Sequence, residues 1–245
     1  MARFYVPQPQ VDKGVLRVEG TEARHIRKVL RLKAGDPVTI FDGSAKEYDG
    51  SIAVLGPSFV LVQIQKTSSP QADSRLEITL AQSLLKGEKM DYVIQKATEL
   101  GIRRIVPFFS CRSVPLLEKS KRLERQHRWE RITMEASKQC GRAILPEVRV
   151  LQDYEEMLRF VPTDAFRFIL WEREGVTLKQ VLKRPPEKKK VFFIVGPEGG
   201  LSEAEVEESK KAGFVPVTLG KRIVRAETAS LCLLSILQYE WGDIG

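Results

Sequence analysis

The 245-residue chain has little of what builds disulfide frameworks, metal centres or membrane spans. Its three cysteines, Cys111, Cys140 and Cys232, are an odd number at wide spacing, which indicates neither a disulfide framework nor a zinc site. Only His25 and His127 can add imidazole, so no metal is expected. No stretch approaches the roughly 20 apolar residues that span a bilayer. The opening MARFYVPQPQ has no apolar signal core either, so a cytoplasmic location without a membrane partner is expected. Acid is in deficit: 32 Asp+Glu against 40 Lys+Arg leave a net charge of +8, which suits a polyanionic partner.

What is present is a globular composition, 42% hydrophobic, long enough for one large domain or two smaller ones. Residues up to about 67 alternate in short runs such as VLRV, PVTIF, SIAVL and FVLVQIQ, broken by turn residues. Period-two patterning with frequent turns predicts a small β-rich barrel or sandwich carrying one short helix at 21 to 32. SSPQADS, residues 68 to 74, reads as a linker, which divides the chain into domains at 1–72 and 73–245.

From Leu76 the rhythm becomes strand then helix, repeated. LEITLAQSL, RRIVPFF, FRFILW, VFFIVG and FVPVTLG are the strands, with helices near 88–100, 120–140 and 203–212, a short one at TLKQVLK, and a terminal one from about 226. Such alternation predicts an α/β domain with a mostly parallel sheet covered on both faces. Met90, Val93, Ile94, Ala97 and Leu100 form one apolar stripe, closed by Gly101; Ser202 with Glu205 forms a capping box, closed by Gly213. The terminal helix is apolar on nearly every side and must be covered all round, within the domain or by a second subunit.

Two basic regions stand apart. RHIRKVLRLK carries Arg24, Arg27, Lys28 and Arg31; as a helix it turns Ile26 and Leu30 inward and those charges outward. The second, Cys111 to Arg131, mixes seven basic residues with three glutamates and reads as either a solvated face or a second contact for a long polyanion.

Ligands of open parallel sheets bind beyond the carboxyl ends of the strands. Three ends qualify: Leu170 to Glu172, Gly196 to Gly200, and Leu219 with Gly220. The middle one, GPEGGLSEAEVEE, is a glycine-rich turn, yet neither phosphate-binding spacing fits it, and Glu198, Glu203, Glu205, Glu207 and Glu208 oppose a phosphate. A neutral or cationic ligand is expected at the turn, although acids at a helix start also favour the helix itself.

GPEGGLSEAE, followed by LGKRIVRAETA and preceded by MEASKQCGRAILPEV and HIRKVLRLKAGDPVTIFDG, resembles the RsmE family over most of the chain. These are the bacterial 16S rRNA uridine-N3 methyltransferases of the SPOUT class. The resemblance implies a PUA-like RNA-binding β-barrel, a C-terminal α/β domain with a deep trefoil knot, a homodimer, S-adenosylmethionine as cofactor and 16S rRNA of the small ribosomal subunit as partner. A sulfonium cation without phosphate suits an acidic turn. The class further implies that Leu170, Gly196, Gly199, Gly200, Leu219, Gly220, Ile223 and Val224 border the cofactor; Glu198, which can also stiffen the turn by accepting local amides, and Thr228, which can orient Arg225 or Glu227, are counted in the same set. The bland alternative is that the glycines only make turns.

Methylation at uridine N3 needs loss of an imide proton and stabilisation of the uracil anion. Arg225 and Glu227 have the types for those roles, or else pair with each other and pin the chain. Arg142 is expected to reach a partner subunit's site or RNA, or is a helix-terminal charge. Arg24, His25, Arg27, Lys28 and Arg31 are expected to hold RNA, with His25 equally at home in packing. The alternatives are methyl transfer to a ribose 2′-oxygen or another RNA base, and a non-catalytic RNA-binding assembly factor.

Overall fold

The computed structural model describes residues 1–69, 74–113 and 119–244, so most of the expected linker and residues 114–118 of the second basic region lie outside the described residues. The chain forms two compact units, Met1–Asp73 with Ser137–Leu145, and Ser74–Ala136 with Pro146–Gly245.

In the first unit, strands β1 (Ala2–Tyr5), β2 (Val11–Asp12), β3 (Val15–Glu19), β4 (Pro37–Phe41), β5 (Glu47–Leu55) and β6 (Phe59–Ser68) form one sheet in the order β1-β4-β5-β6-β3-β2. Pairing is antiparallel except between β1 and β4. Alternate residues of the strands point inward, so Phe4, Leu16, Val18, Val38, Ile40, Val60 and Val62 build a fully buried core. Segment 137–145 joins this unit through Lys138, which pairs with the buried Glu22.

The helix expected at 21 to 32 is α1 (Gly20–Arg24) running into a π-helical turn, His25–Val29. Ile26 is buried as expected, but Leu30 is 43% exposed. The cause is the wider turn: the Leu30 amide donates to the His25 carbonyl, five residues back, which takes Leu30 off the face that a 3.6-residue period assigns it. Leu32 packs against the core instead.

The second unit adds β7 (Glu77–Ser83), α2 (Lys89–Glu99), β8 (Arg104–Phe109), α3 (Lys119–Cys140), β9 (Glu147–Val148), β10 (Gln152–Asp153) and α4 (Tyr154–Arg159). Then follow β11 (Phe166–Leu170), β12 (Val176–Thr177), α5 (Leu178–Leu182), β13 (Lys190–Val195), α6 (Glu203–Lys211), β14 (Val215–Thr218) and α7 (Ala226–Trp241). The sheet order is β10-β8-β7-β13-β11-β14-β12, with β9 beside β8, and every pairing is parallel.

Strand alternation sends residues to two separate cores. Val191, Phe193 and Val195 of β13 meet α2 and α7, while Phe192 and Ile194 meet α4 and α6. This double coverage is why the strands read as continuous apolar runs. The terminal helix is covered within the domain only in part. Ala229, Leu233, Leu234 and Leu237 are buried, but Thr228, Cys232 and Tyr239 form an exposed stripe at spacings of four and seven.

Candidate active site

The three strand ends chosen from the sequence open onto one cleft of about 640 Å³, within the second unit. That is a usual size for an organic ligand, which occupies clefts of roughly 300–1,000 Å³. Leu170, Trp171 and Glu172 leave β11, Val195 to Glu198 with Gly200 and Leu201 leave β13, and Val217 to Ala226 leave β14. Lys89 and Ala229 complete the lining.

The glycine turn forms one wall, and short contacts fix its shape. A Cβ at Gly196 would stand 2.8 Å from Leu201 Cγ, so only glycine lets the turn close upon itself. Gly200 has φ of +70°, the left-handed region, and a Cβ there would lie 3.1 Å from Glu172 Oε1. From behind, Arg112 Nη1 donates to the carbonyls of Gly199 at 3.0 Å and Leu201 at 3.3 Å. Arg112 is therefore committed to the turn rather than to a polyanion. Gly199 does not line the cleft; its missing side chain faces Arg112.

The acids of the motif have separate tasks. Ser202 Oγ accepts from the Glu205 amide while Glu205 Oε2 accepts from the Ser202 amide at 2.8 Å, the expected capping box. Glu205 also receives the Cys111 amide at 2.9 Å. Burial works to raise its carboxyl, but these donors and the Ser202 and Ser110 hydroxyls outweigh it and bring the pKa below the ordinary range. Glu203 pairs with Arg173 and Glu207 with Lys210. Glu198 reaches out to accept the Lys86 amide at 3.1 Å and the Lys89 ammonium at 3.3 Å. Burial opposes ionisation there too, and the amides and the ammonium again prevail, lowering its pKa.

The opposite wall, residues 219–225, carries the other character. Ile223 is 84% exposed, Val224 and Arg225 are exposed, and Lys221, Arg222 and Arg225 make no ion pair among the described residues. The cleft is thus not acidic throughout. Lys89, Lys221, Arg222 and Arg225 line it against Glu172 and Glu198, so the negative character is confined to the turn and to the end of β11 beside it.

Arg225 caps α7 at its N-terminus, and Glu227 follows within the first turn. The two do not pair; Glu227 Oε1 lies 3.5 Å from Lys89 Nζ, and Glu227 Oε2 is buried with no hydrogen-bond partner among the described residues. Thr228 is exposed on α7 and outside the cleft lining. Arg142 belongs to the first unit, is only 6% exposed, and its carbonyl accepts from Arg3; it is not a lining residue.

Among the residues expected to hold RNA, Arg24, Lys28 and Arg31 are exposed in the first unit. Arg27 donates to the Pro57 carbonyl, and His25 packs edge-on against Phe4 at 6.0 Å between ring centroids. In the second basic region Arg122 binds Asp153 and Arg128 binds Asp91, so both hold the unit's own surface. Trp129 is core, its Nε1 donating to Asp91 at 3.1 Å. Trp171 is 7% exposed and lines the cleft. Its Nε1 has no hydrogen-bond partner among the described residues, and Lys210 Nζ lies 5.5 Å from the ring centroid.

Sequence reasoning did not single out Lys221 and Arg222 of the 219–225 wall, nor, on another element, Lys89. Lys89 stands at the start of α2, just beyond the carboxyl end of β7, where the strand-end rule, applied to this fourth strand, would have found it.

A family model described as an RNA methyltransferase domain matches residues 72–238, and one described as an RNA methyltransferase PUA domain matches residues 18–65. With the parallel sheet and its strand-end cleft, these define the class as RNA methyltransferase. The ribosomal RNA small subunit methyltransferase E of Buchnera aphidicola subsp. Acyrthosiphon pisum is 31% identical over 98% of this chain and 94% of its own length. That of Bacillus subtilis is 28% identical over 98% and 97%. Among solved structures, the Neisseria gonorrhoeae ribosomal RNA small subunit methyltransferase E bound to S-adenosylmethionine matches with a TM-score of 0.91, 34% identity and 100% of both chains. A putative methyltransferase of Legionella pneumophila, in complex with the same cofactor, matches with a TM-score of 0.89 and 34% identity over 99% of each. The chain belongs to the ribosomal RNA small subunit methyltransferase E family.

Proposed function

We propose that this protein methylates N3 of a uridine in 16S rRNA, with S-adenosylmethionine as donor and the small ribosomal subunit as the setting. The observation that carries the reading is the convergence of three parallel strand ends on one cleft, with a carboxylate-bearing glycine turn on one wall and, on the other, basic side chains without an ion pair among the described residues. The donor set fits the cofactor: the turn offers close-packed backbone and Glu198 but no phosphate cradle, and Leu170, Gly196, Gly200, Leu219, Gly220, Ile223 and Val224 all line the space. When bound, S-adenosylmethionine supplies a methyl group on a positively charged sulfur.

The protein's part is then binding, orientation and charge. Glu198 favours a cation at the turn and disfavours phosphate. Arg225, exposed at the rim, stabilises the anionic oxygen that uracil develops as N3 loses its proton. Glu227 stands two positions away as the carboxylate for proton acceptance, or for orienting that acceptor. Lys221 and Arg222 meet the RNA backbone, and residues 1–72 form the RNA-binding domain through Arg24, Lys28 and Arg31, beside a methyltransferase domain from 73 to 245. The exposed stripe of Thr228, Cys232 and Tyr239 supports a homodimer closed over α7, across which Arg142 would act in trans; the cytoplasm and the deep trefoil knot belong to the same reading.

Methyl transfer to purified small subunits and to naked 16S rRNA, followed by nucleoside mass spectrometry, tests it. 3-Methyluridine is the expected product. Methylation of ribose or of another base rejects the uridine-N3 assignment, and a folded protein that binds no S-adenosylhomocysteine favours the assembly-factor alternative.

A further inference from the structure

One ammonium holds two segments of the site together. Lys89 Nζ lies 3.3 Å from Glu198 Oε1 and 3.5 Å from Glu227 Oε1. Glu198 belongs to the glycine turn, Glu227 to the first turn of α7, and Lys89 to the first turn of α2. The Lys86 amide binds the same Glu198 oxygen at 3.1 Å, so the start of α2 grips the turn twice. The remaining charged groups of the cleft lining, Glu172, Lys221, Arg222 and Arg225, make no ion pair with either carboxylate. Lys89 is therefore the cation that separates two like charges. An isolated exposed ion pair contributes little. This one is shared, only partly exposed, and orders one side chain for two contacts.

We propose that Lys89 is a positioning residue of the methyl-transfer site: it clamps the glycine turn to the entry of α7 and so fixes where Arg225 stands relative to the cofactor wall. The proposal rests on the methyltransferase reading above. Lys89 acts through Glu227, since Arg225 is the N-cap of the same helix and Glu227 sits in its first turn. Without the ammonium, Glu198 and Glu227 repel each other, and the two walls lose their common anchor. A misplacement of about 1 Å suffices to slow an oriented reaction by up to about 100-fold.

A double-mutant cycle of Lys89→Met and Glu227→Gln in the full chain tests the clamp, with Lys89→Arg as the conservative variant. The readouts are single-turnover methyl transfer, S-adenosylhomocysteine calorimetry and the carbon-13 resonance of the Glu198 carboxyl. Each single change is expected to slow transfer by about 10- to 100-fold. The double variant should be no slower than the slower single, and Lys89→Arg should recover most of the loss. Cofactor-product binding should weaken in each single and no further in the double. The Glu198 carboxyl should titrate at higher pH in Lys89→Met and return toward wild type in Lys89→Arg. Losses that multiply in the double variant, or a Glu198 titration unmoved by Lys89→Met, overturn the clamp. A wild-type protein that transfers no methyl group to RNA sinks the functional reading instead, while titration and calorimetry still decide the clamp.

Discussion

The two loops that wall the cleft are built in opposite ways. The turn 196–201 is held from three directions: Arg112 on its carbonyls, the start of α2 on Glu198, and Leu201 folded against Gly196. The rim 219–225 projects Ile223 at 84% exposure, and its three basic side chains have no ion pair among the described residues. A wall fixed before binding suits a small ligand, because little ordering remains to oppose association. A rim of unneutralised bases suits a large polyanion, which brings its own counter-charge and releases ions as it docks.

The sharpest way to break the comparison is Arg225→Ala. If the rim does the chemistry and the turn holds the cofactor, turnover falls by about 10²–10³, as it does when one donor to a developing anion is removed. S-adenosylhomocysteine affinity should stay close to wild type in the same variant. Single-turnover kinetics beside calorimetry checks this; equal losses in both remove Arg225 from the catalytic role.

Gly196→Val attacks the other wall. Its Cβ would stand 2.8 Å from Leu201 Cγ and 3.1 Å from the Leu201 amide nitrogen, so the turn must open. Overpacking of that kind costs about 1–3 kcal/mol. The loss should appear in calorimetric cofactor affinity, with RNA binding by gel shift largely retained. Arg112→Ala is milder, since both its bonds reach the turn from behind and the guanidinium is partly exposed. A loss of about 1 kcal/mol, or about fivefold in cofactor affinity, is expected from the same measurement.

The contrast between walls also marks what the sequence could convey. Helix limits were legible because their signals are local: the Ser202–Glu205 box sets the start of α6, and the stripe from Met90 to Ala97 with Gly101 bounds α2. The two-sided sheet was legible because Phe192 and Phe193 are both apolar and must face different covers. Leu30 was not, because nothing in HIRKVL announces a π-helical turn. The short β1, β9, β10 and β12 carry too few residues to show a period, and the short α4 was not read although Asp153 and Glu156 form a capping box at its start. At the site, glycines and strand ends led to the cleft onto which the three chosen ends open. The acids misled in part: Glu203, Glu205 and Glu207 serve the helix and its neighbours, and only Glu198 faces the ligand space. The place of Lys89 beyond the end of β7 was open to the strand-end rule, but its pairing was not legible: Glu198 lies 109 residues away and carries no local mark of it.

The smallest effect expected separates those two kinds of acid. Glu205 secures the floor of the turn, and Gln in its place can still complete a capping box, so Glu205→Gln should cost about 0.5 kcal/mol of stability at neutral pH. Its pH dependence carries the information. Although burial pushes the Glu205 carboxyl up, donors from Ser202, Cys111 and Ser110 pull it below its ordinary 4.5, so folding favours the ionised form. The stabilisation is therefore complete above the unfolded-state pKa and disappears as pH falls through the lower, folded-state value. Thermal melts of wild type and Glu205→Gln should differ most at neutral pH, keep that gap down to about pH 5, and converge below 4.5. A gap that stays constant through that acid range would mean the carboxylate's charge does nothing for the turn, and that the pinned wall rests on Arg112 and the start of α2 alone.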